Sequence, residues 1–76
     1  MDLKQKLNED RVKKELSLRQ LAKLSGVSFG TVFRIENGTR IPKFETVEKI
    51  FSALGYSDED IIKLFLEDKR NREVTN

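Results

Sequence analysis

The sequence predicts an all-α fold, a compact single domain of five helices. Apolar residues recur three and four positions apart, as they do along the buried face of a helix. A serine that can cap a helix stands before three of the predicted helices: Ser17, Ser28 and Ser57. The 76 residues include no cysteine and no histidine, so neither a disulfide nor a zinc ion supports the fold, and the helices must share one core.

The first two helices differ in length. Helix 1 is expected from about Asp2 to Lys14, with Leu3 and Leu7 one turn apart on its inner face. It is the least regularly patterned of the five. Helix 2 follows the Ser17 cap and is expected over about Leu18 to Leu24.

The stretch from Leu18 to Gly38 is the most informative part of the chain. Gly26 lies where the chain leaves helix 2 and needs a positive φ, which glycine adopts at little cost. Ser28 then caps helix 3, which is expected over about Phe29 to Glu36 and ends at Asn37-Gly38. Two short helices joined by so tight a turn form a helix-turn-helix unit, whose second helix lies in the DNA major groove.

Helix 4 has the clearest pattern. It follows the loop from Thr39 to Lys43, which contains the only proline, and is expected over about Phe44 to Leu54 before Gly55 ends it. Its apolar residues share one narrow face: Phe44, Val47, Ile50, Phe51 and Leu54.

Helix 5 begins after Ser57, and the acidic residues 58–60 suit the positive end of its dipole. We expect a DNA-binding domain over residues 1–68, including helix 5. Residues 69–76 are polar and are expected to form a frayed tail.

The apolar residues of helix 5 spread over about 200° of its circumference: Ile61, Ile62, Leu64, Phe65 and Leu66. A surface helix of a small domain covers roughly half of such an arc against its own core. We therefore expect Ile62, Phe65 and Leu66 to form the interface of a homodimer. The alternative is that helix 1 covers the extra face within one monomer.

Composition excludes several classes of protein. No apolar run approaches the roughly 20 residues of a membrane span, and no apolar segment of a signal peptide follows Met1, so we expect a cytoplasmic location. Without histidine, cysteine or a glycine-rich phosphate loop, the chain is not expected to be an enzyme or to bind a metal or cofactor.

Charge is unevenly distributed. Residues 1–43 carry 10 Lys and Arg against 5 Asp and Glu, whereas residues 44–76 carry 5 against 8. The basic half contains the helix-turn-helix unit, as a DNA-facing surface requires. Ordinary solvated charges would give the same count, so the charge distribution alone does not decide whether this surface binds DNA.

At these residues the sequence resembles the lambda repressor/Cro family of bacterial and phage regulators, also called the XRE type. The resemblance covers roughly residues 5 to 56 and implies a transcriptional regulator, expected to be a repressor, that binds double-stranded DNA. The matching positions, in order and spacing, are Leu16-Ser17, Leu21-Ala22, Gly26-Val27-Ser28, Val32, Arg34-Ile35-Glu36-Asn37-Gly38, Pro42 and Leu54-Gly55.

The resemblance places contacts with base edges at the start of helix 3 and one turn later. It implies this role for Ser28, Phe29, Gly30 and Arg34, and Phe33 is added because it lies on the same outer side of the helix. Arg34 is the best candidate, because a guanidinium can bond guanine O6 and N7 together. A solvated arginine or a phosphate contact is the alternative.

The two phenylalanines and the glycine of this set have alternative explanations. Phe29 and Phe33 would contact thymine methyl groups or else fold back on helix 2 or the 39–43 loop, Phe29 being the more structural. Gly30 would allow DNA to approach the backbone or would reflect tolerance of a weak helix.

Phosphate contacts are expected from helix N-termini and from the loop after helix 3. The candidates are Arg19, Asn37, Thr39, Arg40 and Lys43. The family commonly has a phosphate-binding glutamine after the Ser17 cap, and here that residue is Leu18, so Arg19 is expected to replace it.

Two further positions bear on how helix 3 is held. The resemblance implies an ion pair beneath the surface between Arg11 and Glu36, which would orient helix 3 more than stabilise the fold. Two unrelated solvated charges are the alternative.

Asp10 departs from the family, which usually has an apolar residue there.

The main rival function is that of an antitoxin, which neutralises a partner protein as well as binding its own promoter. RNA binding and a co-activator role are further alternatives on related helical scaffolds. A partner gene beside this one would favour an antitoxin, whereas a palindrome in its own promoter would favour a plain regulator.

Overall fold

The described part of the chain contains five α-helices and no strand. The computed structural model describes the backbone of residues 2–74 and the side chains of residues 2–72. The helices are α1 (Leu3–Lys13), α2 (Leu18–Ser25), α3 (Phe29–Glu36), α4 (Phe44–Ala53) and α5 (Asp58–Val74). The predicted five-helix fold is confirmed, and the bounds of α1 to α4 lie within one residue of those expected. None of the described helices is long and apolar enough to cross a membrane.

Local hydrogen bonds explain where α2 and α3 begin and end. The Ser17 hydroxyl accepts the N–H of Gln20 at 3.0 Å, and the Gln20 side chain accepts the N–H of Ser17 at 2.7 Å. This reciprocal pair satisfies two amides that lack partners within the helix. Gly26 ends α2 with φ of +73°, as its position predicts, and Ser28 starts α3 two residues later.

One hydrophobic core joins all five helices. Val32 and Ile35 attach α3 to it and are 0% and 4% exposed, which confirms the predicted inner face of that helix. The other buried apolar residues are Leu3, Leu7, Leu21, Ala22, Val47, Ile50, Phe51, Leu54 and Ile61. Because α3 has only these two buried residues over two turns, most of its surface remains outside the core.

Tyr56 accounts for the weak apolar pattern of α1. Its hydroxyl donates a hydrogen bond to Asp10, and its ring packs edge-on against Phe51 with 5.1 Å between ring centroids. Burial of the phenol, together with this bond, raises the pKa of Tyr56 above its ordinary value. Asp10 therefore links α1 to the turn before α5 at a position where the family resemblance predicts an apolar residue.

The C-terminal half of α5 differs from expectation. A polar tail was predicted from Lys69, whereas the helix continues through Val74. Asp68 is only 6% exposed, and its Oδ1 accepts the N–H of Leu3 at 3.1 Å while its carboxylate pairs with Arg72. The Leu3 amide lies in the first turn of α1, where amides lack helical partners. This link ties α5 to the first turn of α1, and the helix continues six residues past the expected domain end at residue 68. The fraying expected for residues 69–76 stays a prediction, and residues 75–76 lie outside the described residues.

Candidate nucleic-acid interface

Helix α3 presents a continuous exposed face opposite its buried residues. Phe33 is 46% exposed and Phe29 37%, and the side chains of Arg34 and Asn37 are exposed as well. These positions lie three and four residues apart, so they share one side of the helix. The chain thus exposes two aromatic rings, a guanidinium and an amide on one short helix.

The tight turn before α3 fixes the angle at which this face is presented. The N–H groups of Gly26 and Val27 both donate to the carbonyl of Ala22, at 2.9 and 3.2 Å. Ala22 is buried, and its small side chain allows α2 and α3 to pack closely. The exposed face of α3 is therefore held by a turn with little freedom.

Ser28 is occupied as a helix cap. Its hydroxyl accepts the N–H of Thr31 at 3.3 Å and donates to Thr31 Oγ1 at 2.8 Å. The side chain is nevertheless exposed at the N-terminus of α3, beside the residues predicted to contact bases.

Three side chains from α2 and α3 form a stack on this surface. The Arg19 guanidinium lies over the Phe29 ring, 4.4 Å from its centroid. The rings of Phe29 and Phe33 are nearly parallel, with 6.1 Å between centroids and 18° between planes. Phe29 thus contacts α2 through Arg19 but remains partly exposed, so it combines features of both sequence-based alternatives.

Gly30 has no neighbour that requires a glycine. A Cβ built on it would meet no atom within 4 Å among the described residues, and its φ is not positive. Nothing in the protein interior therefore explains this residue, and it lies on the outer side of the first turn of α3.

The loop after α3 is organised by Asn37. Its Oδ1 accepts the N–H of Thr39 at 3.1 Å and the Thr39 hydroxyl at 2.7 Å, while the Thr39 N–H also donates to the Arg34 carbonyl at 2.9 Å. Arg40 and Lys43 are exposed further along the loop, and neither forms an ion pair with a described residue. Two exposed cations therefore follow α3 in the chain, and Arg40 also borders a recess that Asp2 and Asp68 line.

Arg11 and Glu36 meet beneath the surface. The Arg11 Nη2 lies 2.9 Å from Glu36 Oε1, and Nε donates to both carboxylate oxygens at 3.1 and 3.3 Å. Their side chains are 16% and 9% exposed. Arg11 Nη1 also donates to the Leu16 carbonyl at 2.6 Å, so the end of α3 is bonded through one side chain to α1 and to the turn before α2.

Sequence reasoning missed Asn8, whose Nδ2 donates to Glu36 Oε1 at 2.6 Å. Asn8 precedes Arg11 by three residues, and this spacing on one face of α1 was the available signal. Asn8 and Leu18 also border a recess of about 250 Å³ beside Phe33. Leu18, at the position where the family has a glutamine, thus contributes apolar surface next to an aromatic ring.

The predicted dimer residues separate into two kinds. Ile62 and Leu66 are 47% and 46% exposed and lie one turn apart on α5. Phe65 is half-buried and packs edge-on against Phe44, with 5.3 Å between ring centroids. The single chain therefore does not cover Ile62 and Leu66 with α1, and an apolar patch remains on α5.

Comparison with known proteins gives two matches. The model of the Helix-turn-helix family matches residues 7–61. An uncharacterized HTH-type transcriptional regulator, RghRB of Bacillus subtilis (strain 168), is 39% identical over 59 residues, which cover 76% of this chain. The chain spans only 42% of the length of that relative. No solved structure is significantly similar.

Proposed function

We propose that this chain, which belongs to the Helix-turn-helix family, is a DNA-binding transcriptional regulator that reads a specific operator by placing α3 in the major groove. The observation that carries the proposal is the exposed face of α3, held from below by Val32, Ile35 and the bonds of Glu36. A base-reading helix must be rigid and must leave its outer side chains free, and this arrangement supplies both.

Within this face, Arg34 is the principal base reader in the proposal. Its guanidinium can donate two hydrogen bonds to one guanine. Ser28, Phe29, Gly30 and Phe33 line the same side of the helix towards its N-terminus. Phosphate contacts are assigned to Arg19, Asn37, Thr39, Arg40 and Lys43, all of which are exposed.

We propose that the protein acts as a homodimer joined through α5. Ile62 and Leu66 form an exposed apolar patch, and a second copy related by a two-fold axis would bury it. The same symmetry would place two copies of α3 about 34 Å apart, one turn of DNA, on a pseudo-palindromic operator. Repression in the cytoplasm is the proposed output, because occupying a site that overlaps a promoter requires no further activity.

Titrations at several salt concentrations test the division between base and phosphate contacts. On a duplex selected from random DNA, Arg34→Ala should weaken specific binding by about 1–3 kcal/mol. Arg40→Ala and Lys43→Ala should each weaken binding to all sequences alike and reduce the salt slope by about one unit. Lys49→Ala, which removes an exposed cation from α4, is the control and should leave both quantities unchanged. If all four variants changed the affinity and the salt slope to the same extent, the proposal would be contradicted.

A further inference from the structure

The stack of Arg19, Phe29 and Phe33 gives its two rings different surroundings. Phe29 has the Arg19 guanidinium over its ring at 4.4 Å and the nearly parallel Phe33 ring beside it. Phe33 has no guanidinium over it among the described contacts, and it is the more exposed of the two rings, at 46% against 37%. The two phenylalanines are therefore not equivalent on the outer face of α3.

The stack favours one conformation of the Arg19 side chain before any ligand arrives. A guanidinium lying flat on a ring keeps the N–H groups at its edge available for hydrogen bonds, and less conformational entropy is lost when it then binds an anion. Arg19 is the second residue of α2, where helical amides also attract anions. Its neighbour Leu18 has no hydrogen-bond donor in its side chain. Arg19 is therefore the charged side chain in this turn that can donate two hydrogen bonds to a phosphate.

Phe33 is placed differently. It borders the recess that Leu18 and Asn37 also line, and it lies one turn beyond Phe29, next to Arg34 in the chain. An aromatic edge has no donor or acceptor, so the feature it can distinguish in the major groove is the C5-methyl group of thymine.

Resting on the DNA binding proposed above, we propose that Phe29 is a positioning residue that holds Arg19 against a phosphate, whereas Phe33 reads a thymine methyl group. The operator should accordingly contain, in each half-site, one thymine whose methyl group contributes to affinity, next to the base that Arg34 reads.

Deoxyuridine substitution tests the role of Phe33, because it removes only the methyl group of a thymine. Each thymine of the selected duplex is replaced in turn, and affinity is measured by fluorescence anisotropy. For the unmodified protein, one replacement per half-site should weaken binding about fourfold, as expected for one lost methyl contact. Phe33→Ala should lose this sensitivity, and Phe33→Gln should do the same if the alanine variant folds poorly.

A double-mutant cycle tests the role of Phe29. Phe29→Leu should weaken binding to all sequences about two- to fivefold, as expected for a lost cation–π contact, and Phe29→Tyr should restore it. In the Arg19→Ala background, Phe29→Leu should have no further effect. The selected consensus and the deoxyuridine sensitivity should not change in Phe29→Leu, a result that a base-reading role for Phe29 would not give.

The outcomes separate this inference from the function on which it rests. If no DNA sequence is enriched by the unmodified protein, the proposed function fails. If a sequence is enriched but no deoxyuridine weakens binding, or if sensitivity persists in both Phe33 variants, the assignment of Phe33 is overturned. Additive effects of Phe29→Leu and Arg19→Ala, or a consensus altered by Phe29→Leu, would overturn the positioning role.

Discussion

At the scale of single residues, the contacts of Glu36 determine how α3 is held. Its carboxylate accepts hydrogen bonds from Arg11 and from Asn8, and Arg11 also bonds the Leu16 carbonyl. Removing two charges from water offsets much of their attraction, so this group of bonds contributes more to the orientation of α3 than to net stability. Removing only one of the two charges is different, because the other charge then remains beneath the surface without its partner.

Glu36→Ala should therefore lower the free energy of unfolding by about 3 kcal/mol, near the low end for a buried pair because Arg11 keeps its bond to Leu16. Urea denaturation measures the loss. Glu48→Ala, at an exposed position of α4, is the control and should cost less than about 0.5 kcal/mol. A loss below about 1 kcal/mol that adds simply to that of Arg11→Ala would mean that the pair behaves as two solvated charges.

At the scale of helices, the sequence predicts those helix ends that are set by contacts between residues close together in the chain. Ser28 and the Asn37-Gly38 pair mark the two ends of α3 in the sequence, and the helix spans Phe29–Glu36 as expected. The bond from the Leu3 amide to the Asp68 carboxylate was not predictable in this way, because the two residues are 65 positions apart in the chain. The stack of Arg19 on Phe29 was missed for a similar reason, since side-chain conformation across a turn leaves no periodic pattern.

The substitution Gly30→Ala tests why a glycine stands in α3, because it should change the stability of the helix and its affinity for DNA in opposite directions. Open space surrounds its missing Cβ, so Gly30→Ala should stabilise the fold by up to about 1 kcal/mol through helix propensity. The same methyl group should weaken DNA binding if the backbone of α3 approaches the DNA closely. Thermal melts and anisotropy titrations measure the two effects.

Gly26→Ala is the matched control for that experiment. A Cβ at Gly26 would also meet open space, but its φ of +73° makes alanine strained, so this variant should be destabilised by about 1 kcal/mol. Undiminished DNA binding by Gly30→Ala would show that the glycine is merely tolerated in a weak helix.

At the scale of the whole molecule, the exposed patch on α5 predicts self-association. Sedimentation at micromolar concentration should give a dimer for the unmodified chain and a monomer for Ile62→Glu, whose charge would be buried at the interface. Leu24→Glu is the control, because Leu24 is an exposed apolar residue (62%) on α2, away from the proposed interface. This substitution should leave the measured mass unchanged. An unmodified monomer, with Ile62→Glu binding DNA as well as the unmodified chain does, would rule out this interface.

Selection of bound sites from random DNA tests the central claim, that α3 reads a specific sequence, most directly. The unmodified protein should enrich a pseudo-palindrome whose half-sites are centred about 10 base pairs apart. The same selection with Arg34→Ala should lose the preference for guanine at one position in each half-site and keep the others. Failure to enrich any sequence, or an identical consensus from Arg34→Ala, would contradict recognition through this face of α3.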